Sequence, residues 1–143
     1  MHERSVTVVE SANGPYGQFI MAGSHMLGVD EPVELGGRDT GPDPYELLLS
    51  SLGACTSMTL RMYAERRNMK LARVEVRLRH IQRANVQSGL ADKFERRITL
   101  VGELTPEERE KLLEIADRCP VSQTLQRSSI VASSLDEVPV AAG

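Results

Sequence analysis

Two thiols are the side chains of this sequence best suited to covalent chemistry. Cys55 lies near the middle of GPDPYELLLSSLGACTSMTLRMYAERRN, and Cys119 opens CPVSQTL. They stand 64 positions apart and neither belongs to a CxxC pair, so the spacing matches no zinc signature and no adjacent-dithiol motif. His2, His25 and His80 are scattered and add no metal-ligand pattern. A thiol attacks as its thiolate, so reactivity depends on what lowers its pKa. The plain alternative for either cysteine is packing, because free Cys behaves as a small, commonly buried hydrophobe. Local electrostatics favour Cys119 as the reactive sulfur. It takes the cap position of a short helical turn, where free backbone N–H groups stabilise a thiolate. Cys55 lies about three turns inside its helix, where the dipole helps little and burial raises the pKa. For Cys55 to ionise, a cation must reach it from elsewhere in the fold.

The element that must position Cys55 is a helix within Gly41–Asn68. Asp43 is a good N-cap, Pro44 fits the first helical position, and Glu46 can reach back to the cap. Leu47 to Leu60 carries no charge, and Leu47, Leu48, Leu49, Leu52, Cys55, Met58, Leu60 and Met62 put apolar groups on nearly every face. Such a helix is expected to be buried all round, with Cys55 inside it and Met58 and Met62 as core packing. The uncharged run is shorter than the ~20 apolar residues that span a bilayer.

Ahead of this helix, Ser5–Glu10, Tyr16–Ala22 and His25–Val29 read as three strands joined by turns at Asn13-Gly14-Pro15 and Gly23-Ser24. Asp30 to Pro42 reads as a loop. Beyond the helix, Leu71–Arg83 alternates Val74, Val76 and Leu78 with charged residues, and the alternation breaks at His80-Ile81. Asn85–Asp92 reads as a polar connection to a second strand through Phe94, Ile98 and Leu100, with Arg96 falling on the apolar side. The two strands pair as an antiparallel hairpin in this reading. Thr105 caps a helix that ends near Arg118, Cys119-Pro120 starts the short turn, and Ile130–Val138 reads as a last strand. Strands segregated from helices indicate an α+β fold in one domain over residues 1–143.

Hydrophobic residues make up 41% of the 143 positions and aromatic ones only 3%, so aliphatic side chains must fill the interior. A net charge of −3 and a pI of about 5.6 argue against a nucleic-acid or anionic-membrane partner. The basic cluster Arg61, Arg66, Arg67, Lys70 and Arg73 is interleaved with acidic residues along the chain and reads as a solvated face. The opening MHERSVTVVE has no apolar segment of the secretory kind, so the expected location is the cytoplasm, where thiols stay reduced. No cofactor and no metal are expected.

The stretch GPDPYELLLSSLGACTSMTLRMYA, followed by CPVSQTL, resembles the OsmC/Ohr family of thiol-dependent peroxidases, and the order of elements fits along nearly the whole chain. The resemblance implies an intertwined homodimer, with sheets from both chains wrapped around central helices and active sites at the subunit interface. It assigns Cys55 as the peroxidatic cysteine and Cys119 as the resolving one. The implied reaction reduces an organic hydroperoxide through a Cys55 sulfenic acid and a Cys55–Cys119 disulfide, in defence against oxidative stress. A dithiol reductant, often a lipoylated protein in this family, restores the thiols. An apolar lining from Leu52 and Met58 suits an organic hydroperoxide better than hydrogen peroxide.

The sequence departs from the family pattern beside Cys55. The family carries a glutamate ten residues before that cysteine, holding an arginine over the thiolate, and here the position is Tyr45. The nearest carboxylate, Glu46, is turned by about 100° on a helix and is equally well read as the capping-box partner of Asp43. No arginine occurs from Tyr16 to Val29, which leaves Arg38 and Arg127 as the candidate cations, each also readable as a solvated loop residue. Two other readings stand beside the peroxidase. One is a non-catalytic dimer that binds an apolar ligand or senses redox state. The other is a thiol acyl transferase or hydrolase with His25 or His80 as base.

Overall fold

The computed structural model describes residues 3–81 and 92–136. Strands β1 (Thr7–Glu10), β2 (Gln18–Ala22) and β3 (His25–Val29) form an antiparallel sheet in the order β1-β2-β3. Helix α1 (Pro44–Arg66) follows, then strands β4 (Lys70–Ile81) and β5 (Lys93–Glu103), and helices α2 (Pro106–Ala116) and α3 (Pro120–Gln126). The α+β class and the order of elements agree with the sequence reading up to α3. Among the described residues no helix is long and apolar enough to cross a membrane.

Each long helix starts where its local chemistry dictates. Asp43 accepts from the Glu46 amide at 2.8 Å while the Glu46 carboxylate accepts from the Asp43 amide at 3.0 Å. Thr105 and Glu108 close the same reciprocal box on α2 at 3.1 and 2.9 Å. These pairs satisfy amides that have no partner inside the helix. At the other end of α1, Asn68 takes φ 53° and the Met69 amide returns to the Ala64 carbonyl, a Schellman-type stop. The loop before α1 is gathered by buried Asp30. Its carboxylate accepts from the amides of Glu31, Arg38 and Thr40 and from the Thr40 hydroxyl at 2.7 Å.

The core forms where α1, α2 and the inner face of β4–β5 meet. Leu60, Ala64, Leu71, Leu112, Ile115 and Ala116 are its buried members. Gly53 lets α1 approach β4 closely: a Cβ there would stand 2.6 Å from Leu78 Cδ1. Contrary to the expected break at His80-Ile81, pairing runs on to Ile81↔Lys93. His80 continues the inward face, its ring stacked between Tyr45 at 4.6 Å and Phe94 at 4.8 Å, with Nε2 3.1 Å from Asp92 Oδ1. The irregularity lies instead between Leu71 and Arg73, opposite Gly102, whose φ of 150° and contact with the Lys70 carbonyl leave no room for a side chain. Arg61 donates to the Leu71 and Ala72 carbonyls at 2.6 and 3.3 Å and so satisfies the bulge. The expected end of β4 at Arg83 and the connection from Asn85 fall outside the described residues, Asp92 excepted.

Two expectations fail for one reason. Helix α1 is not buried all round: Leu52, Gly53, Thr56, Leu60 and Ala64 are covered, whereas Met58 and Met62 are 60% and 52% exposed. Among the described residues, β4–β5, α2 and α3 pack on one side of α1 and leave Met58 and Met62 on the other uncovered. The expected strand from Ile130 to Val138 is not formed over Ile130–Asp136, where Ile130 and Leu135 are 96% and 98% exposed. A strand exists only against a hydrogen-bonding neighbour, and the described residues present none to this segment. The β1–β3 sheet likewise packs little on the remaining elements and leaves Val8, Phe19, Met26 and Leu27 exposed.

Candidate functional site

Helix α2 cannot run on into α3. Proline at position 120 excludes its predecessor from the α region, and Cys119 adopts φ −56°, ψ 124° at the joint between the helices. Its amide still bonds the Ala116 carbonyl at 3.2 Å, so the joint is tight rather than slack. Pro120 then opens α3, with its missing N–H at a position that needs none. The result places the Cys119 sulfur against α1, where Thr56 and Cys55 meet it. Cys119 is 0% exposed, whereas Cys55 is half-buried. The expectation of a buried thiol inside α1 is therefore corrected: the buried sulfur belongs to the joint, and the helix thiol opens outward.

Cys55 opens onto a groove of about 570 Å³ between α1 and the α2–α3 joint. Ala54, Met58 and Met62 line one wall, and Ile115 and Pro120 line the other. Arg66 and Arg118, both exposed, supply the formal charges among the described lining residues. Met58 and Met62 thus line the groove instead of packing the core. Leu52, expected in the lining, faces the opposite side of α1 and is buried.

The two thiols are close enough to act on each other, and their environments differ. Burial pushes the Cys55 thiol up, and the neighbouring Cys119 sulfur adds to this, against the Val121 amide and the Thr59 hydroxyl. Burial acts in the same sense on Cys119 but is outweighed. The Cys55 thiol, the Ser122 amide, the Thr56 hydroxyl and the Val121 amide hold Cys119 below its ordinary value. The Cys119 sulfur makes no regular helix-cap hydrogen bond, so its stabilisation comes from several partial donors. Cys119 is thereby held as the more acidic thiol of the two and Cys55 as the less acidic.

Of the residues singled out in the sequence, the fold brings Cys55 and Cys119 together. Glu46 is engaged in the capping box of α1. Arg38 packs its side chain over Gly14 in the β1–β2 turn, and Arg127 donates to the Gln123 carbonyl at 3.1 Å. Neither arginine lines the groove, and neither do His25 and His80. Tyr45, at the family's glutamate position, stacks on His80.

The residue that sequence reasoning passed over is Arg96. Its side chain is only 14% exposed and reaches inward from β5. Nη1 donates to Thr56 Oγ1 and to the Ala116 carbonyl, both at 3.0 Å, and Nη2 to Asp117 Oδ1 at 3.2 Å and Ser122 Oγ at 3.3 Å. The signal was the one charge on the apolar face of β5, which had no use in the sequence reading.

Residues 37–134 match the family model described as OsmC-like protein. No curated protein matches the chain. Among solved structures, it is similar to an OsmC-like protein of Mycoplasma pneumoniae with a TM-score of 0.75 and 18% identity, over 87% of this chain and 88% of that one. An organic hydroperoxide resistance protein OsmC of Legionella pneumophila superposes at TM-score 0.64 with 22% identity, over 88% and 90%. One from Elizabethkingia anophelis, with thiocyanate bound, gives 0.67 and 22%, over 87% and 88%. At such identities the likeness is one of fold.

Proposed function

The chain belongs to the family of OsmC-like proteins, and from that premise we propose that it is a thiol-dependent peroxidase that reduces organic hydroperoxides. The single observation that carries this reading is the contact between two sulfurs distant in sequence, one sealed and one open to an apolar groove. Cys55 is the sulfur a substrate can reach. As it attacks, its proton passes to the Cys119 thiolate, and the Cys55 sulfur bonds the distal oxygen of the hydroperoxide. The O–O bond breaks, Cys55 becomes a sulfenic acid, and the leaving alkoxide takes the proton back from the Cys119 thiol to depart as the alcohol. Cys119, again a thiolate, then attacks the Cys55 sulfur, releasing hydroxide that is protonated to water and leaving a disulfide. A dithiol, for which a lipoylated protein is a candidate, takes up the oxidising equivalents by thiol–disulfide exchange. The reaction belongs in a compartment that keeps thiols reduced, such as the cytoplasm, and serves there as an antioxidant defence.

The working unit in this reading is a homodimer. The apolar face of α1, the loosely attached β1–β3 sheet and the extended 130–136 segment are surfaces a second copy would cover. A partner can also bring a cation, Arg38 among the candidates, over Cys55.

The test is a thiol count on reduced protein mixed with cumene hydroperoxide. Loss of two thiols per chain with one intrachain disulfide is expected. Unchanged thiols over minutes overturn the peroxidase and favour a second reading, a dimer that binds an apolar ligand in the groove. The observation on that side is the upward shift of Cys55.

A further inference from the structure

We propose that Arg96 is a positioning residue for the cysteine pair: its guanidinium ties α1, α2 and α3 together so that the Thr56 hydroxyl and the first amides of α3 stay aimed at the Cys119 sulfur. The inference concerns how the pair is held, and it stands whether or not the pair reduces peroxides.

The hydrogen-bond accounting leads there directly. A threonine hydroxyl has one proton and two lone pairs. Arg96 Nη1 occupies a lone pair of Thr56 Oγ1, so the hydroxyl proton must point away from the guanidinium. The proton is given to the Leu52 carbonyl at 2.7 Å, and the Cys119 sulfur, which the hydroxyl helps to acidify, is the alternative acceptor. A charged sulfur is the stronger acceptor, so ionisation of Cys119 draws the proton over. Without Arg96, the hydroxyl is free to turn and accept from the sulfur side.

The same guanidinium holds both ends of the joint that carries Cys119. It bonds the Ala116 carbonyl, which ends α2, and Ser122 Oγ, which lies in the first turn of α3. Ser122 is buried and also accepts from Gln126 Nε2 at 2.9 Å. Val121 and Ser122 share one turn with Cys119, and the Arg96 bonds to the Ala116 carbonyl and Ser122 Oγ hold that turn's ends in place. Bidentate, planar donation is what an arginine offers and a lysine does not. Charged and titratable groups near Cys119 among the described residues include Cys55 and Arg66 on α1, Arg96 on β5, and Asp117 and Arg118 at the joint. Asp117, which pairs with Arg96, is 77% exposed, so water weakens its counter-effect.

The experiment follows the thiolate ultraviolet absorbance of full-length Cys55→Ser protein against pH, so that Cys119 is the only thiol. Arg96→Met is expected to raise the midpoint by about one pH unit, and Arg96→Lys to restore only part of it. Thr56→Val, nearly isosteric, should shift it in the same direction, and the Arg96→Met/Thr56→Val pair should shift it by less than the sum. A merely structural arginine would lower the melting temperature and leave the midpoint in place, which overturns the proposal. Should Arg96→Met fail to fold, Thr56→Val decides alone, and an unmoved midpoint there is equally fatal. No peroxide enters this measurement, so its failure is distinct from failure of the peroxidase reading.

Discussion

Replacing Cys55 by serine in one protein and Cys119 by serine in another sets ionisation against access. Cys119 holds the advantage in charge, being shifted down while Cys55 is shifted up. That advantage is bounded: an ordinary thiol is a few per cent ionised at neutral pH, so full ionisation gains at most roughly 30-fold. A stabilised thiolate is also a weaker nucleophile, which erodes the gain. Cys119, however, is 0% exposed, and a hydroperoxide reaches it only if the α2–α3 joint lifts from α1 and the Arg96 bonds to Thr56 and Ser122 break. A local opening of about 3 kcal/mol leaves the site open roughly one part in 150. Access therefore outweighs ionisation by about fivefold or more. The assay is single-turnover consumption of cumene hydroperoxide by each variant at neutral pH, with mass detection of a dimedone-trapped sulfenic acid. Cys119→Ser should consume one equivalent and trap the acid at Cys55, at least ~5-fold faster than Cys55→Ser reacts at all. Equal or faster reaction of Cys55→Ser would refute the reasoning, because it would mean that the buried thiolate needs no opening.

Further expectations concern stability and assembly. Gly53→Ala gains about 1 kcal/mol of helix propensity, but its Cβ meets Leu78 Cδ1 at 2.6 Å and overpacking costs about 1–3 kcal/mol. A lower urea midpoint is expected, and a higher one would show that Leu78 yields freely. The Thr40 hydroxyl, with the loop amides, holds the Asp30 carboxyl below its ordinary value. Its stabilisation is thus complete above the unfolded carboxylate pKa and lost as pH falls through the native one. The difference in urea midpoint between wild type and Asp30→Asn should accordingly shrink on acidification below pH ~4, and a constant gap would contradict the assignment. Met58→Asp places a charge on the open face of α1; light scattering should show a dimer for wild type and a monomer for the variant. A monomeric wild type would remove the dimer from the proposal.

What could be read without coordinates was whatever depends on neighbours close along the chain. The two capping boxes, Asp43 with Glu46 and Thr105 with Glu108, join residues three apart, and both helices begin where those residues say. The β1–β3 turns and the β4–β5 alternation are equally local in cause. Even the cap position of Cys119 followed from the proline after it, whereas the lowering of its thiol draws first on Cys55, a partner distant along the chain.

The tertiary structure decided what depends on contacts between distant residues. The meeting of Cys55 with Cys119 spans 64 positions, and the Arg96 bonds to Thr56, Ala116 and Ser122 span 40, 20 and 26. No periodicity encodes such partners, because a long side chain on a strand can end against any element that packs over it. The sequence carried the anomaly, a guanidinium on an apolar face, and only the packing of three helices over β5 turned it into a clamp. The exposure of Met58 and the unpaired 130–136 segment have the same origin. Whether an apolar face is buried or a strand is formed depends on what lies opposite, and a residue pattern states the need for a partner without supplying one.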